Sequence, residues 1–264
     1  MDQQFDLDAA ARALVADSSH KQPRRRVRPR LAEPLHEAMD HQIETSIGPV
    51  MAWRLGSGPA VLLVHGWEDD NALWGPLIDQ LQANGRAVVA MDLPGHGFSP
   101  AEMGGPDTAA LAVRAVAQTL GPIDAAVGHS FGCVALTSAL DAGMRVERAV
   151  LIASPIPKNR YGAMKRLQGQ GAPPEVVARA LELIAEREGS SPVYDIEAAA
   201  ARMTAKALMI HSLDDDDCPP GNSRSLADAW PGAEVVWVDD LGHRRVAQER
   251  DVLARVADFI DGLG

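Results

Sequence analysis

The sequence predicts a doubly wound α/β fold: a mostly parallel sheet of about eight strands, helices on both faces, and a small helical cap inserted after the sixth strand. Three observations predict it. Unbroken apolar runs such as Ala60-Val61-Leu62-Leu63-Val64 and Ala87-Val88-Val89-Ala90-Met91 suit strands buried on both faces. These runs alternate with longer segments of helical periodicity. One stretch, residues 155–203, has no convincing buried strand and interrupts the alternation.

In chain order, residues 1–40 read as an arm, with a short helix from Asp6 to Ala16 broken by a run of Arg and Pro. His41 to Ile47 and Val50 to Leu55 form two strands joined at Gly48-Pro49. Strands follow at 60–64 and 86–91, separated by a helix from Asn71 to Asn84 that ends at Gly85. Asp107 is a suitable cap for a helix stopped by Gly121-Pro122. Strands at 123–127 and 146–153 bracket a helix from Phe131 to Ala142. In the insertion, Pro173-Pro174-Glu175 opens a helix reaching about Arg187, and a second spans Asp195 to Met203. Strands at 206–211 and 234–238, and helices at 222–229 and 244–259, complete the core. The expected division is an arm (1–40), a core (41–154 and 204–264) and a cap (155–203).

Bulk properties narrow the function classes. Of the 264 residues 46% are hydrophobic, enough for a large core, and no apolar run approaches the roughly 18 residues that span a bilayer. The net charge of -11 argues against nucleic acid and anionic membranes as partners. A basic run, Lys21 to Arg30, is either a solvated arm or a contact for an acidic partner. The N-terminus lacks the features of a secretory signal. Two cysteines, Cys133 and Cys218, make no disulfide framework or metal-type spacing, which points to a reducing, cytoplasmic setting. No metal or cofactor is expected.

Chemistry concentrates where the strand ending near Val127 meets the next helix, at Gly128-His129-Ser130-Phe131-Gly132. A G-x-S-x-G sequence between strand and helix forces a sharp turn with Ser130 at its tip. Small residues two positions to either side avoid collisions, and the helix N-terminus behind Ser130 offers free N–H groups to a developing oxyanion. Ser130 is therefore the candidate nucleophile. The N–H of Phe131, the residue after it, is a candidate oxyanion donor.

Four motifs in order, His65-Gly66-Trp67, Asp92-Leu93-Pro94-Gly95-His96-Gly97-Phe98-Ser99, the serine turn, and an acid–histidine pair near the C-terminus, resemble the α/β-hydrolase superfamily from about His41 onward. The resemblance implies a Ser-His-Asp hydrolase. Of the eight histidines it selects His243, after Gly242, as the base. It gives His65 and His96 structural roles and makes the N–H of Trp67 the second oxyanion donor. The acid lies between serine and histidine in the chain. Aligning Cys218-Pro219 with the family's aliphatic–proline pair selects Asp215, with Asp214 as the alternative. Ser212 stands where the family has glycine, Cys218 where it has valine, and Cys133 where it has glycine or alanine. The Trp67 ring either lines the acyl pocket or packs. Tyr161, Met164 and Leu167 recur at helical spacing in the cap and either face the substrate or form core.

The expected activity is hydrolysis of a carboxylic ester or related acyl bond on a small-molecule acyl substrate. Thioesterase, lactonase, amidase or acyltransferase chemistry would use the same groups. A binding or receptor protein with negligible turnover is the alternative from another class.

Overall fold

Eight strands form one sheet in the order β1-β2-β4-β3-β5-β6-β7-β8 in the computed structural model, which describes residues 6–18, 29–103, 105–157, 167–169, 171–188 and 194–263. The strands are β1 (Met39–Ile43), β2 (Val50–Leu55), β3 (Ala60–Val64), β4 (Ala87–Met91), β5 (Ile123–His129), β6 (Arg148–Ile152), β7 (Lys206–Ser212) and β8 (Glu234–Val238). β1–β2 and β2–β4 pair antiparallel, and every other pair is parallel. All five residues of β3 and of β4 are buried, as strands covered on both faces require.

Among the described residues, helices are α1 (Leu7–Ser18), α2 (Gly75–Ala83), α3 (Pro106–Leu120), α4 (Phe131–Asp141), α5 (Pro174–Glu188), α6 (Ile196–Ala200), α7 (Gly221–Ala229), α8 (Gly242–Arg245) and α9 (Arg250–Asp261). Helix α4 is buried from Gly132 through Leu140. Its apolar sequence (Cys133, Val134, Ala135, Leu136, Ala139) makes it a central helix rather than an amphipathic cover. Helix α9 instead shows one stripe, burying Val252, Leu253, Val256, Ala257 and Ile260 with the core cluster.

The chain divides into two units: residues 1–21 with 156–195, and residues 22–155 with 196–264. In the smaller unit Ala11 of α1 packs with Leu167 and with Val176, Val177, Ala180 and Leu183 of α5. Arg179 donates to Asp8 at 2.6 Å there. The larger unit carries the sheet. It also takes residues 29–40, expected in the arm, and α6, expected in the cap, so the division falls elsewhere than the composition suggested. Most of the basic run, through Arg28, lies outside the described residues.

Several element boundaries differ from expectation for local reasons. Strand β1 ends at Ile43 because the Thr45 hydroxyl receives the N–H of Ile47 and donates to the Gly48 carbonyl, closing a turn. Helix α3 opens on Pro106 after Gly105, and Asp107 lies in the first turn, where its charge still suits the helix dipole. Asn71 begins a 3-10 turn (Asn71–Trp74) ahead of α2. Its N–H and side chain both bond Asp92, which holds the chain tighter than an α-helix. The expected single C-terminal helix is two, α8 and α9, separated by a turn through the extended Glu249.

Candidate active site

Strand β5 delivers Ser130 to the tip of its turn with φ 51° and ψ -123°, outside the regions open to most side chains. The turn survives because its neighbours fix it. The N–H of Ser130 bonds the Ile152 carbonyl at 2.9 Å, and the N–H of Cys133 bonds the Ser130 carbonyl at 2.9 Å. A Cβ on Gly132 would lie 2.2 Å from the Val64 carbonyl oxygen, so only glycine lets α4 approach the end of β3. The Cys133 thiol sits between the carbonyls of Gly128 and Ile152, at 3.2 and 3.3 Å. Burial raises it well above the ordinary cysteine value, leaving it inert as a nucleophile.

His243, in the short helix α8, places Nε2 at 2.9 Å from the Ser130 hydroxyl oxygen and Nδ1 at 2.8 Å from Asp215 Oδ2. A carboxylate only accepts, so Nδ1 carries the hydrogen and Nε2 is left to receive the serine proton. The Asp215 side chain is fully buried, and His243 is 12% exposed. Oδ1 of Asp215 accepts the N–H groups of Asp217 and Cys218, each at 2.8 Å. Burial alone would raise the carboxyl. Hydrogen bonds from His211, His243 and Cys218 outweigh it and hold Asp215 well below the usual carboxylate value.

Asp214, the alternative acid, points elsewhere. It is exposed, and its Oδ1 receives the N–H of Gly242 at 3.0 Å and the hydroxyl of Ser212. Those two bonds lower its pKa. Ser212 Oγ in turn accepts the N–H groups of Leu241 and Gly242 at 3.2 Å. The serine that replaces a family glycine thus joins the acid loop to the backbone just before His243. Nothing in the sequence signalled this beyond the departure itself.

On the other side of Ser130, His65 governs the loop after β3. Its Nε2 accepts the Leu93 N–H at 3.0 Å, so Nδ1 is protonated and donates to the Gly66 carbonyl at 2.7 Å. In a trans peptide the following N–H, that of Trp67, points the opposite way from that carbonyl. A Cβ on Gly66 would stand 2.9 Å from the Ser130 Cβ, which shows how closely this loop passes the serine. The Trp67 ring, 37% exposed, packs edge-to-face on Phe131 at 5.6 Å and on His96 at 5.4 Å. The N–H of Phe131 is the first of α4, among the opening N–H groups that have no partner within a helix. Arg244 reaches Asp69 at 3.3 Å and so joins the His243 segment to this loop. Asp70 caps the following 3-10 turn through the Ala72 N–H.

Two histidines given no role in catalysis by the sequence belong to this network. His129 is buried and donates from Nε2 to the His243 carbonyl at 2.8 Å. Burial first, then the neighbouring His243, pull its pKa down to about 3. His211, at the end of β7, contacts Asp215 directly. Their common signal is a histidine at the carboxyl end of a mostly apolar strand. Of the expected pocket residues, Leu167 is 1% exposed within the core of the smaller unit, where it packs. Tyr161 and Met164 lie outside the described residues.

Residues 61–258 match the model of the alpha/beta hydrolase family, and the chain belongs to that family. Among curated proteins, a pimeloyl-[acyl-carrier protein] methyl ester esterase of Vibrio parahaemolyticus is 40% identical over 101 residues. The match spans 38% of this chain and 38% of that relative's length. RutD of Variovorax paradoxus, described as a candidate carbamate hydrolase, is 28% identical over 244 residues, covering 77% of this chain and 92% of that protein. Among solved structures, the esterase Pf2001 of Pyrococcus furiosus superposes with a TM-score of 0.73 at 20% identity, over 93% of this chain and 98% of that one. The esterase RhEst1 of Rhodococcus sp. gives 0.68 at 21% identity, over 85% and 99%. At such identities the structural likeness speaks to the fold. No helix among the described residues is long and apolar enough to cross a membrane.

Proposed function

We propose that this protein is a serine hydrolase that cleaves a carboxylic ester, or a related acyl bond, of a small-molecule substrate through an acyl-enzyme. The observation that carries this is the run of hydrogen bonds from Ser130 Oγ through the His243 ring to Asp215, at 2.9 and 2.8 Å. Nε2 of His243 takes the Ser130 proton as Oγ bonds to the acyl carbon, and the carbonyl electron pair moves onto oxygen. The N–H groups of Trp67 and Phe131 hold that oxyanion, each contributing on the order of 3 kcal/mol. Collapse breaks the bond to the leaving alcohol, which receives the proton from Nε2. Water then repeats the sequence, releasing the acid and restoring Ser130. Asp215 keeps His243 in the required tautomer and stabilises its imidazolium form.

The esterase names of several relatives support an ester as the bond cleaved. The candidate carbamate hydrolase makes a carbamate one arm of any screen. Asp214, Asp216, Asp217, Asp239 and Asp240 are exposed on the two loops that carry Asp215 and precede His243. Their field favours an uncharged or cationic substrate over an anionic one. The buried free thiols of Cys133 and Cys218 suit a cytoplasmic setting. The test is turnover of nitrophenyl esters of graded acyl length by the wild type and by Ser130→Ala. The substitution is expected to remove activity by a factor on the order of 10⁶. Retained turnover in the folded variant would refute the mechanism.

A further inference from the structure

Ser130, His243 and Asp215 account for one hydrogen-bonded line, yet Asp215 Oδ2 carries a second donor that this line does not use. Nε2 of His211 lies 3.2 Å from the same oxygen that receives His243, and 3.0 Å from the Cys218 carbonyl. Both neighbours only accept, so Nε2 must bear a hydrogen, shared between them. On the far side of the ring, Nδ1 lies 2.7 Å from the Ser223 hydroxyl. In the neutral imidazole Nδ1 is bare and receives that hydroxyl's hydrogen. His211 and Ser223 are both fully buried. Both ring nitrogens of His211 are engaged and the ring is enclosed, which holds its orientation.

We infer that His211 is a positioning residue of the site, extending the hydrogen-bonded chain to Ser223–His211–Asp215–His243–Ser130. This rests on the proposed serine-hydrolase reading. Its physical task is to fix the Asp215 carboxylate in rotation. Oδ1 is pinned by the amides of Asp217 and Cys218, and His211 pins Oδ2 from the side that His243 does not occupy. With both oxygens held, the remaining acceptor direction on Oδ2 points at His243 Nδ1, and the imidazole is aimed at Ser130 before substrate arrives. Second contacts of this kind decide whether a catalytic group is held within the fraction of an ångström that the reaction needs. Ser223 acts one step further back by selecting the His211 tautomer that donates from Nε2.

The test uses the full chain in four forms: wild type, His211→Leu, His211→Gln and Ser223→Ala. The readouts are kcat and KM on a nitrophenyl ester, the rate at which a fluorophosphonate labels Ser130, and thermal melting. Leucine removes the donor and is expected to lower kcat and the labelling rate about 10- to 100-fold, with KM within twofold of wild type. Glutamine carries an amide N–H near the place of Nε2 and is expected to recover most of that loss. Ser223→Ala is expected to lower kcat several-fold at unchanged KM, and it keeps the idea testable if the leucine variant does not fold. The inference is overturned by a folded His211→Leu protein with wild-type kcat, by glutamine performing no better than leucine, or by full activity in Ser223→Ala. If wild type itself shows neither Ser130-dependent turnover nor labelling, the hydrolase reading fails and this inference falls with it. An active wild type with indifferent variants sinks the inference alone.

Discussion

Ser130 and His243 meet at 2.9 Å, but the two sides of that contact are built from different materials. On the serine side the backbone does the work: a positive φ at Ser130, the Ile152 carbonyl receiving its N–H, and Gly132 admitted against the end of β3 where a methyl group would not fit. The acid–histidine side is held by side chains. Asp215 gathers donors from two amides and two imidazoles, Ser212 and Asp214 grip the backbone at Leu241 and Gly242, and His129 holds the His243 carbonyl. The difference teaches where each side is vulnerable. A steric turn fails all at once when a methyl group is added. A hydrogen-bonded clasp loses strength one bond at a time.

The largest expected effect tests which carboxylate the clasp presents to His243. Asp215→Asn should lower kcat about 10⁴-fold with little change in fold, because the amide favours the wrong imidazole tautomer. Asp214→Asn should cost less than about tenfold, since the amide oxygen can still accept from Gly242 and Ser212 and only the charge that strengthens those bonds is lost. A reversed order in side-by-side kinetics would make Asp214 the acid.

Gly132→Ala strikes the steric side. Its Cβ would press on the Val64 carbonyl at 2.2 Å, which neither strand nor helix can yield without breaking the turn. Thermal or urea unfolding should show a loss of about 4 kcal/mol or more, or no folded protein at all. A variant with near wild-type stability would show that the turn is not steric in origin.

His129→Gln is expected to alter the pH dependence of stability. The folded imidazole titrates at about 3 and the unfolded one at its ordinary 6.5. Between those values the unfolded chain binds a proton that the folded chain refuses, so this group destabilises the fold as pH falls through the window. Its contribution is at most about 1.4 kcal/mol per pH unit. Glutamine does not titrate, so urea midpoints of the variant should fall less steeply from pH 7 to pH 5. Parallel slopes for the two proteins would remove the buried neutral histidine from the account. Asp215 has the opposite sign of charge and a window further down. Its stabilisation is complete above its ordinary value of 3.8 and is given up as pH falls below it.

The smallest expected effect is that of Ser212→Gly, which restores the residue common in the family. Losing the hydroxyl should cost about 1 kcal/mol of stability, and about fivefold in kcat if the loop before His243 loosens. An unchanged kcat with lowered stability would leave the clasp a purely structural device.

The two sides also differ in how readable they were. The serine turn has a local signature, because strand, glycines and helix are contiguous from Ile123 to Asp141. The acid side joins β7, the loop after it, α7 and α8, which are separate elements between Lys206 and Arg245 rather than one contiguous turn. A strand-end histidine such as His211 and a serine inside a helix such as Ser223 carry no mark of meeting. The register of Asp215 against Asp214 could be taken only from a resemblance, since four consecutive aspartates look alike until one of them is buried.

Local patterning by itself determined the alternating strands and helices and the sharp turn at Ser130, because each depends on neighbours within a few residues; the candidate acid and base were reached through the family resemblance. Only the tertiary structure decided which aspartate turns inward, how His129 and His211 brace the site, where Leu167 packs and how the N-terminal residues divide between two units. Those outcomes depend on contacts made across the fold: Asp215 meets the His243 ring 28 positions on, His129 meets the His243 carbonyl 114 positions on, and Leu167 packs on Ala11, and no local pattern encodes them.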